Sequence, residues 1–189
     1  MKHPTGPNGE PLEIERKFLI RRPAEEQLQR YSSGCLALEQ IYLTRREKGE
    51  SRRIRKSSCN GETRYYYNEK IRLSSMKRIE HEWELSEAEY AALQREADPD
   101  CAVIRKVRWL IPAGDLTLEV DVFPFWQRQA FCEAELSDET QSVELPPWME
   151  VIREVTDEDG YTNHAMARRL PPEDEIEKTN NRVKPGRGD

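Results

Sequence analysis

Apolar and charged residues alternate with period two along much of this chain, the pattern of strands with one apolar and one polar face. Glu13, Glu15 and Lys17 fall on one face of a strand over 13–20. Pro23 then starts a short helix over 24–31. Strands follow over 40–46, with Gln40, Tyr42 and Thr44 on one face, and over 52–56, with Arg53 and Arg55 on one side. A turn over 48–50 joins them. Asn60-Gly61 is a hairpin signal leading into a strand over 63–73 that bears Lys70. Over 78–85, Arg78, Glu80, Glu82 and Glu84 face away from Ile79, Trp83 and Leu85. Ser86 and Glu89 form a capping box opening a helix to about 96, whose Tyr90 and Leu93 cover a sheet.

Two more strands lie at 103–111 and 116–123, split by Pro112-Ala113-Gly114-Asp115. In the first, Lys106 and Arg108 alternate with Val107 and Trp109; in the second, Glu119 and Asp121 alternate with Leu118, Val120 and Val122. A strand over 131–136 carries Glu133 and Glu135 on one face. Ser137, Asp138 and Glu139 read as a helix start, and Glu154-Val155-Thr156 leads to a helix over 162–170. Residues 1–11 read as a loose extension, 12–170 as a single domain, and 171–189 as a disordered tail.

With 189 residues the chain can bury a real core, but it is 36% hydrophobic and 35% charged, so much charge must sit close together. A net charge of −6 argues against a nucleic-acid partner. No apolar run is long enough to span a membrane, and no signal-peptide pattern opens the chain, so a cytoplasmic protein is expected. Cys35, Cys59, Cys101 and Cys132 show no CxxC spacing and read as reduced, scattered thiols.

Periodicity alone leaves two arrangements open. A sheet could turn its charged face to water, or close into a barrel with a charged lumen and an apolar outside covered by helices. The charge types favour the barrel. Lys17, Arg53, Arg55, Lys70, Arg78, Lys106 and Arg108 stand against Glu13, Glu15, Glu80, Glu82, Glu119, Asp121, Glu133 and Glu135, and the signs separate by strand. A surface built for solubility interleaves them. A basic wall facing an acidic one suits a polyanion carrying divalent cations: arginine and lysine grip phosphate, and carboxylates hold the metal.

The ordered series Glu13-x-Glu15-x-Lys17, Arg53-x-Arg55, Lys70, Arg78-x-Glu80-x-Glu82, Lys106-x-Arg108, Glu119-x-Asp121-x-Phe123, Glu133-x-Glu135 and Glu154-Val155-Thr156 resembles the CYTH, or triphosphate tunnel metalloenzyme, family. The opening is most similar to the bacterial tripolyphosphatase branch. This resemblance implies a mainly β chain with flanking α: an eight-stranded antiparallel β-barrel, or tunnel, with short helices packed outside. It implies a Mg²⁺ or Mn²⁺ cofactor and a triphosphate-containing small-molecule substrate. Lys17, Arg53, Arg55, Lys70, Arg78, Lys106 and Arg108 would bind phosphate. Glu13, Glu15, Glu133 and Glu135 would lead as metal ligands, with Glu119 and Asp121 next. Glu80 and Glu82 could bind metal or orient the basic wall. Glu13, Glu15 and Lys17 are the candidate catalytic groups.

Arg78, Glu84 and Glu154 could equally be structural ion-pair partners, and Trp83, Trp109, Phe123 and Trp148 read as core. Three departures stand out from the family pattern: twelve residues precede the first motif, Glu69 precedes Lys70, and Asp159-Gly160 replaces a basic residue before Tyr161. The expected activity is hydrolysis of inorganic tripolyphosphate to pyrophosphate and phosphate by a monomer or homodimer. Thiamine triphosphatase, nucleoside triphosphatase, adenylyl cyclase and a non-catalytic polyphosphate- or nucleotide-binding module are the alternatives.

Overall fold

A computed structural model describes residues 4–5, 9–45 and 50–173. Among the described residues, nine strands and three short α-helices follow in chain order: β1 (Leu12–Arg21), α1 (Glu25–Tyr31), β2 (Gly34–Tyr42), β3 (Glu50–Cys59), β4 (Glu62–Arg72), β5 (Lys77–Leu85), α2 (Glu87–Leu93), β6 (Ile104–Ala113), β7 (Leu116–Val122), β8 (Gln129–Glu135), β9 (Val151–Glu154) and α3 (Asn163–Arg168).

Eight strands form an antiparallel barrel in the order β5-β4-β3-β2-β6-β7-β8-β1, closed where β1 returns to β5. The closing seam is short: Leu12, Glu13 and Ile14 pair with Ile79, Arg78 and Lys77. Further along, Phe18 to Ile20 of β1 pair instead with β9, the ninth strand. Two tight hairpins carry the chain round. Asn60 (φ 50°) and Gly61 (φ 85°) both turn through the left-handed region, as a two-residue hairpin requires.

The expected barrel is therefore present, with boundary differences. β2 begins at Gly34, well before the predicted strand, and ends at Tyr42. The Gly34–Leu36 segment lacks clean alternation, and pairing with Leu110–Arg108 of β6 draws it into the sheet. Arg46 and the predicted turn at Lys48-Gly49 lie outside the described residues. No helix forms at Ser137. Asp138 instead accepts hydrogen bonds from the Thr140 amide and hydroxyl, closing a local turn. β9 carries no alternation of its own, and register with β1 makes it a strand. The α2 capping box is formed as read, with Ser86 accepting from the Glu89 amide and Glu89 accepting from the Ser86 amide.

The outside of the barrel is apolar and covered. Ile14, Phe18, Ile111, Leu118, Val120 and Ala134 pack beneath Leu28 of α1 and Met149. Tyr90 of α2 closes over Ile41, Leu43 and Ile54. A third cluster sits inside one end of the barrel, where the inward rows change from charged to apolar at a common level. Lys17 is followed by Leu19, Asp121 by Phe123 and Glu133 is preceded by Phe131, while Ile104 precedes Lys106. Trp126, Tyr161 and Met166 of α3 complete this plug. Leu19, Phe123 and Phe131 are fully buried, and burial of each contributes roughly 1.5–3 kcal/mol.

Trp83 does not belong to the core. It is 49% exposed on the outer face of β5, lying against Tyr67 and His81. Of the predicted tail, Pro171 and Glu173 fold back. The Pro171 carbonyl accepts from the Trp126 indole, and Glu173 accepts from the Gln127 and Arg128 amides. Residues from 174 onward lie outside the described residues. Among the described residues, no helix is long and apolar enough to cross a membrane.

Candidate active site in the barrel lumen

Cross-strand register decides which charges meet. Glu15 lies opposite Glu135, Lys17 opposite Glu133, and Glu119 opposite Glu133. Arg108 lies opposite Asp121, Arg53 opposite Asn68, and Lys70 opposite Glu80. All thirteen predicted site residues thus sit on the inward rows, and the ring order sorts them by sign. β4, β3 and β6 bring Lys70, Arg53, Arg55, Lys106 and Arg108, with only β2 between them. β7, β8 and β1 bring Glu119, Asp121, Glu133, Glu135, Glu13 and Glu15. Lys17 on β1 and the mixed β5 row lie among the acids.

The two arcs enclose a cavity of about 670 Å³, lined among others by Glu13, Lys17, Arg53, Arg78, Arg108 and Glu133. A second cavity of about 560 Å³ lies toward the Asn60-Gly61 hairpin. Arg55, Glu82, Arg108 and Glu119 line both cavities, which marks the waist of the tunnel.

Opposite signs reach each other across this lumen. Lys17 Nζ lies 2.8 Å from Glu133, and Lys70 Nζ lies 2.7 Å from Glu13 and 3.0 Å from Glu80. Arg55 binds Glu82 at 2.7 Å, while Arg78 binds Glu15 and stands 3.5 Å from Glu13. Lys106 binds the fully buried Asp121. Arg108 is the hub: it binds Glu119, contacts Asp121 at 2.7 Å and contacts Glu133 at 2.6 Å.

Burial and pairing set the protonation. Burial works to raise Glu80, but Lys70 and Arg53 outweigh it and hold the carboxyl down at about 2. Burial likewise works against ionised Glu133, yet Lys17, Lys106 and Arg108 keep it well below the carboxylate range. Glu119 goes the other way. Burial, with Asp121 and Glu133 beside it, outweighs Arg108 and pushes it up to about 7. Burial and Arg108 together bring Lys106 down to about 8 against the pull of Asp121.

The depressed Glu80 has a consequence for stability. Because its folded pKa lies below its unfolded value, its contribution is present above about pH 4.5 and is lost as pH falls toward 2. Glu80→Gln should therefore cost on the order of 1–3 kcal/mol near neutral pH. Urea denaturation at neutral pH and at about pH 3 should show the gap shrinking on acidification. A pH-independent gap would contradict the assignment.

Several lumen groups lie beyond those singled out by charge. Gln40 and Tyr42 of β2 and Asn68 of β4 are buried on the inward rows. Asn68 donates to Glu80 at 2.9 Å and to Glu82 at 2.5 Å, aligning both carboxylates. Its position two residues before Lys70 was the available signal. Thr156 accepts from the Lys17 amide at 3.0 Å and ties the chain after β9 to the first motif. Glu154 lies outside the lumen, in a two-pronged ion pair with Arg16 at 2.9 and 2.6 Å. Glu84 is exposed, and Arg78 lies in the lumen. Glu69 faces outward and accepts from Tyr67, so its departure from the family pattern leaves the lumen untouched. Asp159 sits at the cavity mouth, paired with Arg72.

A closed antiparallel barrel with a doubly charged lumen defines a tunnel protein, and the CYTH domain model matches residues 11–168. The chain belongs to the CYTH domain family. It is similar to the solved structure of the inorganic triphosphatase NE1496, at 26% identity and a TM-score of 0.52, covering 85% of this chain and 97% of that one. A second structure of NE1496, described as a hypothetical protein, matches with a TM-score of 0.53 over 84% of this chain and 99% of that one, again at 26% identity. PH1819 from Pyrococcus horikoshii OT3 shares the fold at 18% identity and a TM-score of 0.53, over 67% of this chain and 80% of that one. No curated protein matches the chain.

Proposed function

We propose that this protein is a divalent-metal-dependent triphosphate phosphohydrolase whose substrate is inorganic tripolyphosphate. The observation that carries this reading is the division of one lumen into a basic arc and an acidic arc around a cavity of about 670 Å³. The triphosphatase named among the similar structures supports it.

The acidic arc has the right donors for a metal. Glu13, Glu15, Glu133 and Glu135, with Glu119 and Asp121 next, are hard oxygen ligands of the kind Mg²⁺ and Mn²⁺ take. Among the described residues no three lumen carboxylates converge closely enough to hold an ion as they stand. Most are drawn onto a lysine or arginine. A bound divalent ion would neutralise phosphate charge and lower the pKa of the attacking water.

The protein's own groups do the rest. Arg53, Arg55, Lys70, Arg78, Arg108 and Lys17 exchange carboxylate partners for phosphate oxygens, while Lys106, fully buried against Asp121 and lining neither cavity, adds its positive charge from behind Arg108. Their fixed positions then stabilise charge on the transferred phosphoryl group, the main source of acceleration in such reactions. Exchange at Lys70 and Arg78 frees Glu13 and Glu15, one of which accepts the proton of the attacking water. Water adds to a terminal phosphorus, the bridging P–O bond breaks, and pyrophosphate leaves with orthophosphate.

The second cavity leaves room beyond the waist for a group attached to the triphosphate, so organic triphosphates belong in the same test. Phosphate release should be measured from tripolyphosphate, ATP and thiamine triphosphate with Mg²⁺, with Mn²⁺ and with chelator. Metal-dependent release with tripolyphosphate as best substrate is expected. Faster turnover of an organic triphosphate would reassign the substrate. Inertness toward all three, with binding retained, would make the lumen a binding module.

A further inference from the structure

Beside the tunnel, three metal-ligand side chains of different chemistry come together. Asp98 and Cys101 lie in the connection from α2 to β6, and His164 is the second residue of α3. One ligand atom from each falls within 4.8 Å of the others. The sequence offered no CxxC pair, because the third ligand comes from sixty-three residues beyond Cys101.

The local structure holds the three in place. The Asp98 amide donates to the Tyr42 carbonyl at 2.9 Å, and the Cys101 amide donates to the Asp98 carbonyl at 3.1 Å, folding both side chains to one side. Ala102 donates to the Ala167 carbonyl at 2.7 Å, fastening this connection to α3. The His164 ring packs on Tyr42 with centroids 4.7 Å apart. Burial, followed by Arg45 and Arg168, lowers the His164 pKa.

We propose that Asp98, Cys101 and His164 form a binding site for one thiophilic divalent cation of the zinc class. A thiolate, an imidazole and a carboxylate are the ligands zinc takes, with a fourth, tetrahedral position left to water. The sulfur ligand selects against Mg²⁺ and Mn²⁺, so this site and the oxygen-lined tunnel sort cations by softness. Two guanidinium groups stand nearby. Arg168 donates to Asp98 at 2.7 Å and can remain as an outer partner, since each carboxylate oxygen has two lone pairs. Arg45 Nη2 lies 3.1 Å from His164 Nδ1; it is exposed, and swings into water when a metal takes that nitrogen. The ion would tie the β6 approach to α3, whose Met166 closes the apolar plug, and His164 itself lines the tunnel cavity.

The test is titration of the metal-free full-length protein with Co²⁺ in excess Mg²⁺, read by absorbance. Binding of one equivalent with a thiolate-to-cobalt charge-transfer band is expected. Cys101→Ser should abolish the band, His164→Gln should weaken binding on the order of tenfold or more, and Cys35→Ser should change neither. Near-UV circular dichroism confirms folding of each variant, and His164→Gln decides alone if Cys101→Ser does not fold. Zn²⁺ should raise the melting temperature of the wild type and not of His164→Gln. Absence of a thiolate–cobalt band, or its persistence unchanged in the folded variants, would overturn the proposal. None of these readouts depends on the tunnel being a triphosphatase.

Discussion

Replacing Arg108 by alanine should lower kcat/KM for tripolyphosphate by roughly 10²–10³-fold, the loss typical of one preorganised charge partner. Arg108 occupies the waist between the two cavities and binds Glu119, Asp121 and Glu133 at once. Its removal also strands acids, of which Asp121 keeps Lys106 and Glu133 keeps Lys17. Breaking a buried pair from one side costs about 3–5 kcal/mol. A loss of activity could therefore be a loss of folded protein, and the double variant Arg108→Ala, Glu119→Gln separates the two. Without Arg108 the Glu119 carboxyl is held still higher than about 7, so its neutralisation removes a stranded acid only in alkaline solution, where it should restore part of the lost stability. Turnover should stay low, because nothing replaces the guanidinium at the phosphate. Kinetics and urea denaturation on the same samples make the comparison. Recovery of activity in step with stability would make Arg108 purely structural.

Tripolyphosphate and metal should stabilise the protein together far more than either does alone. In the lumen the lysines and arginines are already paired with carboxylates, so self-repulsion among cations does not dominate. A phosphate chain entering by itself takes those cations and leaves the acids facing one another. A metal ion entering by itself takes the acids and strands the cations. Both together satisfy both arcs. A coupling of about 1–3 kcal/mol, or 5–150-fold in affinity, is the usual scale for linked sites. At saturation near a hundred times the dissociation constant the gain is about 2.7 kcal/mol, which for a chain of this size means a melting shift of about 5–10 °C. A non-hydrolysable imido analogue of tripolyphosphate, with and without Mg²⁺, measures this by thermal denaturation. Equal shifts with and without metal would show that the carboxylates take no part.

The barrel was legible in the sequence because period-two alternation survives in nearly every strand, and because the inward rows are charged rather than merely polar. Charge makes the inward parity conspicuous: Glu13, Glu15 and Lys17 could share a face only in an extended chain. Where the inward residue is neutral the signal fades. Gln40, Tyr42 and Asn68 line the lumen as surely as Arg53 does, yet only their neighbours betray it. Trp83 shows the converse failure, since a large apolar residue on an outward row is core only if something covers it.

The sequence by itself determined the alternation, the hairpin at Asn60-Gly61, the capping box of α2 and the sign carried by each strand. These are properties of residues near one another in the chain, and local sterics and hydrogen bonding settle them. Tertiary structure alone decided that β1 closes on β5 through three residue pairs, that β9 is a strand, and that opposite arcs stand close enough for Lys70 to hold Glu13. It also decided the apolar plug of Leu19, Phe123 and Phe131, and the meeting of Asp98, Cys101 and His164. Each of these depends on register between segments distant in sequence. A one-residue slip in any ladder would turn the charged row outward, and no local pattern records which register is adopted.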